Sequence, residues 1–299
     1  MTQQRDRRGF ETDRARQRPG LGALIAMESM KLVYRPVIWV TLALLTGGSS
    51  LIILMADLST RASNLDATSQ AARLQTFIMP HGLMESFAIV SRLNGILLVV
   101  VAAALIGSEF SWGTIKVMVS SGASRSKLFF AKLITLLSVV VIFLTIGVIA
   151  GSVTSVIVTI SSGNPLTLGI VNGAWLADAS MAALRSSFVI GVLAILAFAV
   201  SGVTRSLVAG VTAGIGWIVL EQVLHVFLST IGNVGLFIDR LLIVTNISAL
   251  MQRDGFGPQR IEPHTPSELA AFSILIFYSL ALIAMAYVAF TRRDIQAGS

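Results

Sequence analysis

The chain contains no cysteine in 299 residues. That removes a disulfide framework, a thiolate metal site and a cysteine nucleophile from consideration. Charge is scarce as well. Asp, Glu, Lys and Arg together make up 12% of the residues, against 55% hydrophobic ones, whereas a soluble domain carries about a quarter charged. With a mean hydropathy of +0.82, an ordinary soluble domain is excluded and a polytopic membrane protein is expected. There are three histidines, with no HExxH and no His and carboxylate cluster spaced for zinc or magnesium, so no metal site is expected. His81 and His264, beside the single acids Glu85 and Glu262, read as solvated loop residues. No Gly-Lys dipeptide occurs, so the chain cannot form a GxxxxGK phosphate-binding loop and is not expected to hydrolyse nucleotide itself.

An intramembrane serine protease would need GxSG and a histidine on another span. The Ser-Gly pairs Ser121-Gly122 and Ser162-Gly163 fall in loops, and only His225 lies in a span. The net charge of +7 raises the possibility of nucleic acid. The basic residues lie in short segments beside apolar runs, however, where the positive-inside rule accounts for them, so no nucleic-acid partner is expected.

What the sequence does have is long uncharged runs, among them Leu93 to Ser108 and Leu133 to Ala177. Runs beyond about eighteen residues suit a bilayer. The reading is an all-α integral membrane protein with six transmembrane helices at Val37–Ala56, Phe87–Gly107, Leu133–Ile160, Met181–Val203, Leu207–Thr230 and Leu269–Phe290. About fifteen Lys and Arg fall on the side of the termini and about seven on the other, which makes both termini cytoplasmic. Residues 1–20, rich in Arg and poor in apolar side chains, read as a disordered basic cytoplasmic arm, and residues 21–299 as a single six-span domain. Arg7-Arg8 is followed by Glu11 and Asp13, not by an apolar stretch, so neither a twin-arginine nor a cleavable secretory signal is expected.

Leu21 to Arg35 has helical periodicity with Glu28, Lys31 and Arg35 on one side. It reads as an interfacial helix whose charges reach outward to headgroups, with Pro36 breaking the chain before the first span. The outer segment between spans five and six contains LFIDRLLIVTNISALMQ, expected to form one or two short outer helices. Thr265, Pro266 and Glu268 read as a capping box at the start of the sixth span. Between spans two and three lies a polar, basic island, Ser108 to Lys132. Its Trp112 suits an interface anchor, Gly113-Thr114 a tight turn into a short surface helix, and Ser124 the N-cap of the next span.

Ionisable groups inside spans need a partner or a role. Arg92 and Glu221 each stand about 22 Å from the inner edge at 1.5 Å rise per residue, so an ion pair between spans two and five is expected. With Gln222 and His225 a turn away it would form a buried polar node, serving as a substrate route or as a structural latch. Gly147 and Gly151 in span three, and Gly210, Gly214 and Gly216 in span five, provide small-residue faces for close helix packing.

The order of interface helix, span, outer loop and span, then ExxxGT (Glu109, Gly113, Thr114), Lys116, SRSK (Ser124 to Lys127) and FFAKL (Phe129 to Leu133), resembles the permeases of type 2 ATP-binding-cassette exporters, and the closing FTRRDI (Phe290 to Ile295) is similar to their C-terminal ends. The resemblance implies a bacterial plasma-membrane half-transporter. Its island would be a cytoplasmic coupling helix seated in a separate ATPase subunit, with two permease chains, identical or related, and two ATPase chains per complex. It further implies that Glu109, Trp112, Gly113, Thr114 and Lys116 carry the coupling, that Gly210, Gly214 and Gly216 could assist dimerisation, and that ATP and Mg belong to the partner while this chain needs no cofactor. A membrane anchor or assembly protein of the same architecture is the alternative from another class, ahead of an intramembrane enzyme.

Overall fold

The computed structural model describes residues 19–64, 66–111, 124–166, 172–252 and 265–292. Among these the chain is all-helical. In order the helices are α1 (Leu21–Val33), α2 (Pro36–Arg61), α3 (Ala67–Phe77), α4 (His81–Ser111), α5 (Arg125–Ser161), α6 (Gly173–Thr204), α7 (Leu207–Leu228), α8 (Asn233–Asp239), α9 (Ile243–Gln252) and α10 (Glu268–Arg292). Six of them, α2, α4, α5, α6, α7 and α10, are long and apolar enough to cross a membrane, as the hydrophobic runs required. They are the helices of a membrane-embedded protein.

Five of the six spans are longer than their apolar runs, while α7 ends at Leu228, two residues short of Thr230. α4 begins at His81 rather than near Phe87, and α5 at Arg125 rather than near Leu133. Backbone hydrogen bonding carries a helix on into polar turns that hydropathy assigns to loops. Pro36 does break the chain: Arg35 is extended (φ −86°, ψ 122°) and Pro36 opens α2, where its missing N–H is no loss. Ser124 precedes α5 as expected, but its side chain makes no capping bond. The start of α10 corrects the capping-box reading. Ser267, not Thr265, accepts from the Ala270 N–H, and Glu268 turns aside to hold Arg185 of α6 at 2.7 Å. The segment between α2 and α4 contains the additional helix α3, capped by Asp66 accepting from the Ser69 N–H. The Ser69 hydroxyl, and after it the Ser69 N–H, hold the Asp66 carboxyl below its ordinary value.

α4 and α6 form the buried centre of the bundle, packed with α5 through residues such as Leu98, Ala102, Ile106, Leu136 and Ile190. Gly147 and Gly151 allow α5 to lie against α4: a methyl on Gly147 would stand 2.7 Å from Val90 Cγ1, and one on Gly151 2.8 Å from Ser86 Oγ. α2, α7 and α10 present wide apolar faces, with Trp39 and Leu44, Val223 and Val226, and Phe277 and Leu280 exposed. Such faces suit lipid or further protein. The bundle has two poles. One carries α1, the ends of α4 and α6 and the starts of α5 and α7, and is called the loop pole because segment 112–123 lies there in the chain. The other carries α3, α8 and α9, the last two being short helices bent by 79° to each other.

Candidate functional site

The chemistry at the loop pole begins with α1. Its Leu24 packs against Ala131 of α5 and Leu32 enters the main core, so the helix is fixed by its apolar side and its rotation is determined. That rotation turns Glu28, Lys31 and Arg35 inward. Glu28 is 2% exposed, which corrects the expectation that these charges reach outward to headgroups. They meet Glu109, about half a turn before the end of α4, and Lys132 on α5.

Lys132 is wholly buried. Its Nζ donates to Glu28 Oε2 at 2.7 Å and stands 2.5 Å from Glu109 Oε2, the latter an ion pair without the alignment of a hydrogen bond. Lys31 Nζ donates to Glu28 Oε1 at 2.8 Å and lies 3.4 Å from Glu109 Oε1. Arg35 divides its guanidinium: Nη1 donates to the Ala104 carbonyl at 2.9 Å and to Ser108 Oγ at 3.2 Å, while Nη2 reaches Glu109 Oε1 at 3.3 Å. Three cations thus enclose two carboxylates. Burial would raise the Glu28 carboxyl, but Lys132 and Lys31 together outweigh it and hold the group below its ordinary value. Buried charges of this kind persist only when each is paired and hydrogen-bonded.

Beneath the ions lies an aromatic layer. Phe129, one turn before Lys132, has ring contacts with Phe198 of α6 at 5.7 Å, and with Tyr287 and Phe290 of α10 at 5.5 and 5.8 Å. The sequence FFAKL therefore has a physical division of labour: Phe129 fixes α5 to α6 and α10, Ala131 admits α1, and Lys132 closes the ion cluster. The α6–α7 turn joins the same assembly. Arg205, left-handed at φ 58°, places its guanidinium 5.6 Å over the Phe110 ring. A methyl on Gly107 would stand 2.6 Å from the Leu207 nitrogen, so only glycine lets α4 touch the start of α7.

Glu109 is accordingly the one coupling residue with a described position, and it is buried in this cluster. Trp112, Gly113, Thr114 and Lys116 lie outside the described residues, as do the FTRRDI positions beyond Arg292, and Glu262 and His264. The cluster brackets segment 112–123 all the same: Glu109 precedes it, Lys132 follows it, and α1 joins the two. The parts supplied by Glu28, Lys31, Arg35 and Lys132 were not expected. The i, i+3 and i+7 spacing of Glu28, Lys31 and Arg35 was a visible signal, but it does not distinguish a stripe facing water from one facing a buried lysine a hundred residues away.

At the other pole the expected Arg92–Glu221 pair is not formed. Arg92 is exposed, and the carboxylate whose charge it influences is Glu85 on its own helix. Glu221 is buried and accepts from Trp217 Nε1 at 2.6 Å and from the backbone N–H groups of Ile243, at 3.0 Å, and Val244. Equal depth along two helices did not fix the direction in which either side chain points. The rest of the node does gather: Gln222 and His225 line a cleft with Glu221, and His225 Nδ1 meets Asp239 at 2.8 Å. Gly210 and Gly214 lie against α6 and α4. A methyl on Gly214 would stand 2.5 Å from Val99 Cγ1, whereas one on Gly216 would meet nothing within 4 Å. The first two serve packing within the chain, and Gly216 faces out of it. Among the described residues no group of His, Asp and Glu could hold a metal ion.

Compared with known proteins, residues 51–296 match the family model described as Protein of unknown function (DUF2705). The matched part includes Glu109, Lys132, Glu221 and His225 and begins after α1. No curated protein matches the chain. With most of its length covered, the chain belongs to the DUF2705 family.

Proposed function

We propose that this chain is the membrane-spanning permease subunit of an exporter driven by a separate ATPase, with α1 and the Glu109 end of α4 cytoplasmic and the protein in a bacterial plasma membrane. The observation that carries the reading is the ion cluster. It joins α1, α4 and α5 at the two flanks of segment 112–123, so force applied to that segment is delivered to three helices together. A passive connector has no need of five interlocked charges whose burial is costly. A lever does, because rigid elements in fixed register convert a push on a loop into movement of spans.

In this reading Trp112, Gly113, Thr114 and Lys116 meet the ATPase, and Glu109 transmits. Two permease chains, identical or related, and two ATPase chains make up the complex, with ATP and Mg bound by the ATPase. The exposed apolar faces of α2 and α7 are surfaces on which a second permease chain could be seated.

The test is purification in mild detergent followed by mass measurement of the intact complex, then reconstitution into vesicles. The reading expects an ATPase to be retained and lipid or amphipathic cargo to move only with ATP. An ATPase retained without ATP-dependent movement supports an anchor or assembly protein instead. Failure to retain any ATPase overturns both.

A further inference from the structure

The cleft at the pole of α8 and α9 has a volume of about 420 Å³. It lies between the end of α7, the bent α8–α9 pair and the residues leading into α10, and its lining includes Glu221, His225, Asp239, Thr245, Ser248 and Gln252. What these groups leave unused defines the ligand. Glu221 is already supplied by three donors, from Trp217, Ile243 and Val244, so it serves as a finished wall. Asp239, 8% exposed, accepts from His225 Nδ1 at 2.8 Å and Thr245 Oγ1 at 3.2 Å, and both bonds fall on Oδ1. Its Oδ2 receives no hydrogen bond among the described residues. Gln252 Oε1 is a buried acceptor without a donor among the described residues.

Two acceptors of the cleft are therefore left unsupplied by the described residues, Asp239 Oδ2 and Gln252 Oε1. Among the described residues no Lys or Arg lines it. Among the described residues the carboxylates and histidine form no group that could hold a metal ion, and the volume lies within the range of organic-ligand sites. A group that brings several N–H donors and a positive charge supplies what is lacking.

We propose that this cleft binds a primary ammonium group, with the cation against Asp239 and the remainder of the ligand along Ser248 and Gln252. The ammonium can come from an aminolipid headgroup or from a free amine. The proposal goes beyond the exporter reading, because binding needs neither nucleotide nor a partner subunit.

The full-length chain is purified in detergent for both arms of the test. In one, native mass spectrometry compares retention of phosphatidylethanolamine with phosphatidylglycerol of the same acyl chains. In the other, calorimetry titrates ethanolamine, with glycerol as the uncharged control. Preference for the aminolipid alone identifies a lipid headgroup, and saturable ethanolamine binding identifies a free amine. Asp239→Asn is expected to weaken whichever binding occurs at least about tenfold. Ser248→Leu, which fills the cleft without touching the Asp239 bonds, is expected to abolish it in a chain that melts like the wild type. The proposal is overturned if the ammonium probes bind no better than their controls, or if both variants bind like the wild type.

Discussion

At the residue scale, Glu109 and Lys132 are not equivalent members of the ion cluster. Removing Lys132 leaves two intact pairs, Glu28 with Lys31 and Glu109 with Arg35. Removing the Glu109 charge leaves three cations facing a single carboxylate, Glu28, which pairs with Lys31 and Lys132 only. Breaking a buried pair by deleting one partner typically costs about 3–5 kcal/mol. Glu109→Gln is expected to fall in that range and Lys132→Met below it. The double variant is expected to lose no more than Glu109→Gln alone, since coupled sites do not add. Unfolding of the three variants in detergent checks the order, and a larger loss for Lys132→Met would show that charge count does not govern the cluster. Acid acts on the same residues. With its carboxyl held below the ordinary value of 4.5, Glu28 contributes stability that is full above that value and is lost as pH falls through the lowered folded value. Docking of α1 is thus expected to persist at pH 5 and to weaken only below about 4.5, as read by protease susceptibility of the α1–α2 junction. In Glu28→Gln that acid step should be absent.

At the scale of elements, Glu221 caps α9 from a different helix. Two backbone N–H groups that open α9 end on one side chain of α7, so Glu221→Ala leaves both without a partner. Loss of a cap costs about 1–2 kcal/mol, and the expected readout is faster hydrogen exchange at Ile243 and Val244 while α4 and α6 remain protected. The glycines of α7 separate by face. Gly214→Val would drive a side chain into the buried Val99, overpacking that typically costs about 1–3 kcal/mol. Gly216→Val is expected to leave the single chain unchanged, and a loss of dimer mass in that variant alone would place Gly216 at a contact between copies.

These contrasts show what was legible in the sequence and what was not. The uncharged runs gave the spans, Pro36 the break before α2, and the apolar stretch between spans five and six the pair α8 and α9, because each is a local property of the chain. The inward turn of Glu28, the failure of Arg92 to meet Glu221 and the choice of Ser267 over Thr265 depend on rotation about helix axes and on partners far away in sequence. Glu221 was singled out correctly as a buried charge. Its partners are mostly backbone N–H groups, which every residue type carries and no composition reveals.

For the whole molecule, the proposed mechanism requires α1, α4 and α5 to move as one body at the loop pole while α8 and α9 ride on the far end of α7. The contact of Gly107 with Leu207 and of Arg205 with Phe110 ties the start of α7 to that body, so displacement at one pole has a route along a rigid helix to the other. A chain without cysteine is an ideal background in which to test this. Leu24 and Ala131 are buried in one apolar cluster between α1 and α5, and replacing both by cysteine allows the two helices to be joined by oxidation. If they travel together, the oxidised protein should retain its ATPase and its ATP-dependent transport, because the bond spans no moving joint. Reduction should leave transport unchanged. Transport abolished by the bond would show that α1 slides on α5 during the cycle, and the ion cluster would then be a latch that opens rather than a lever that holds.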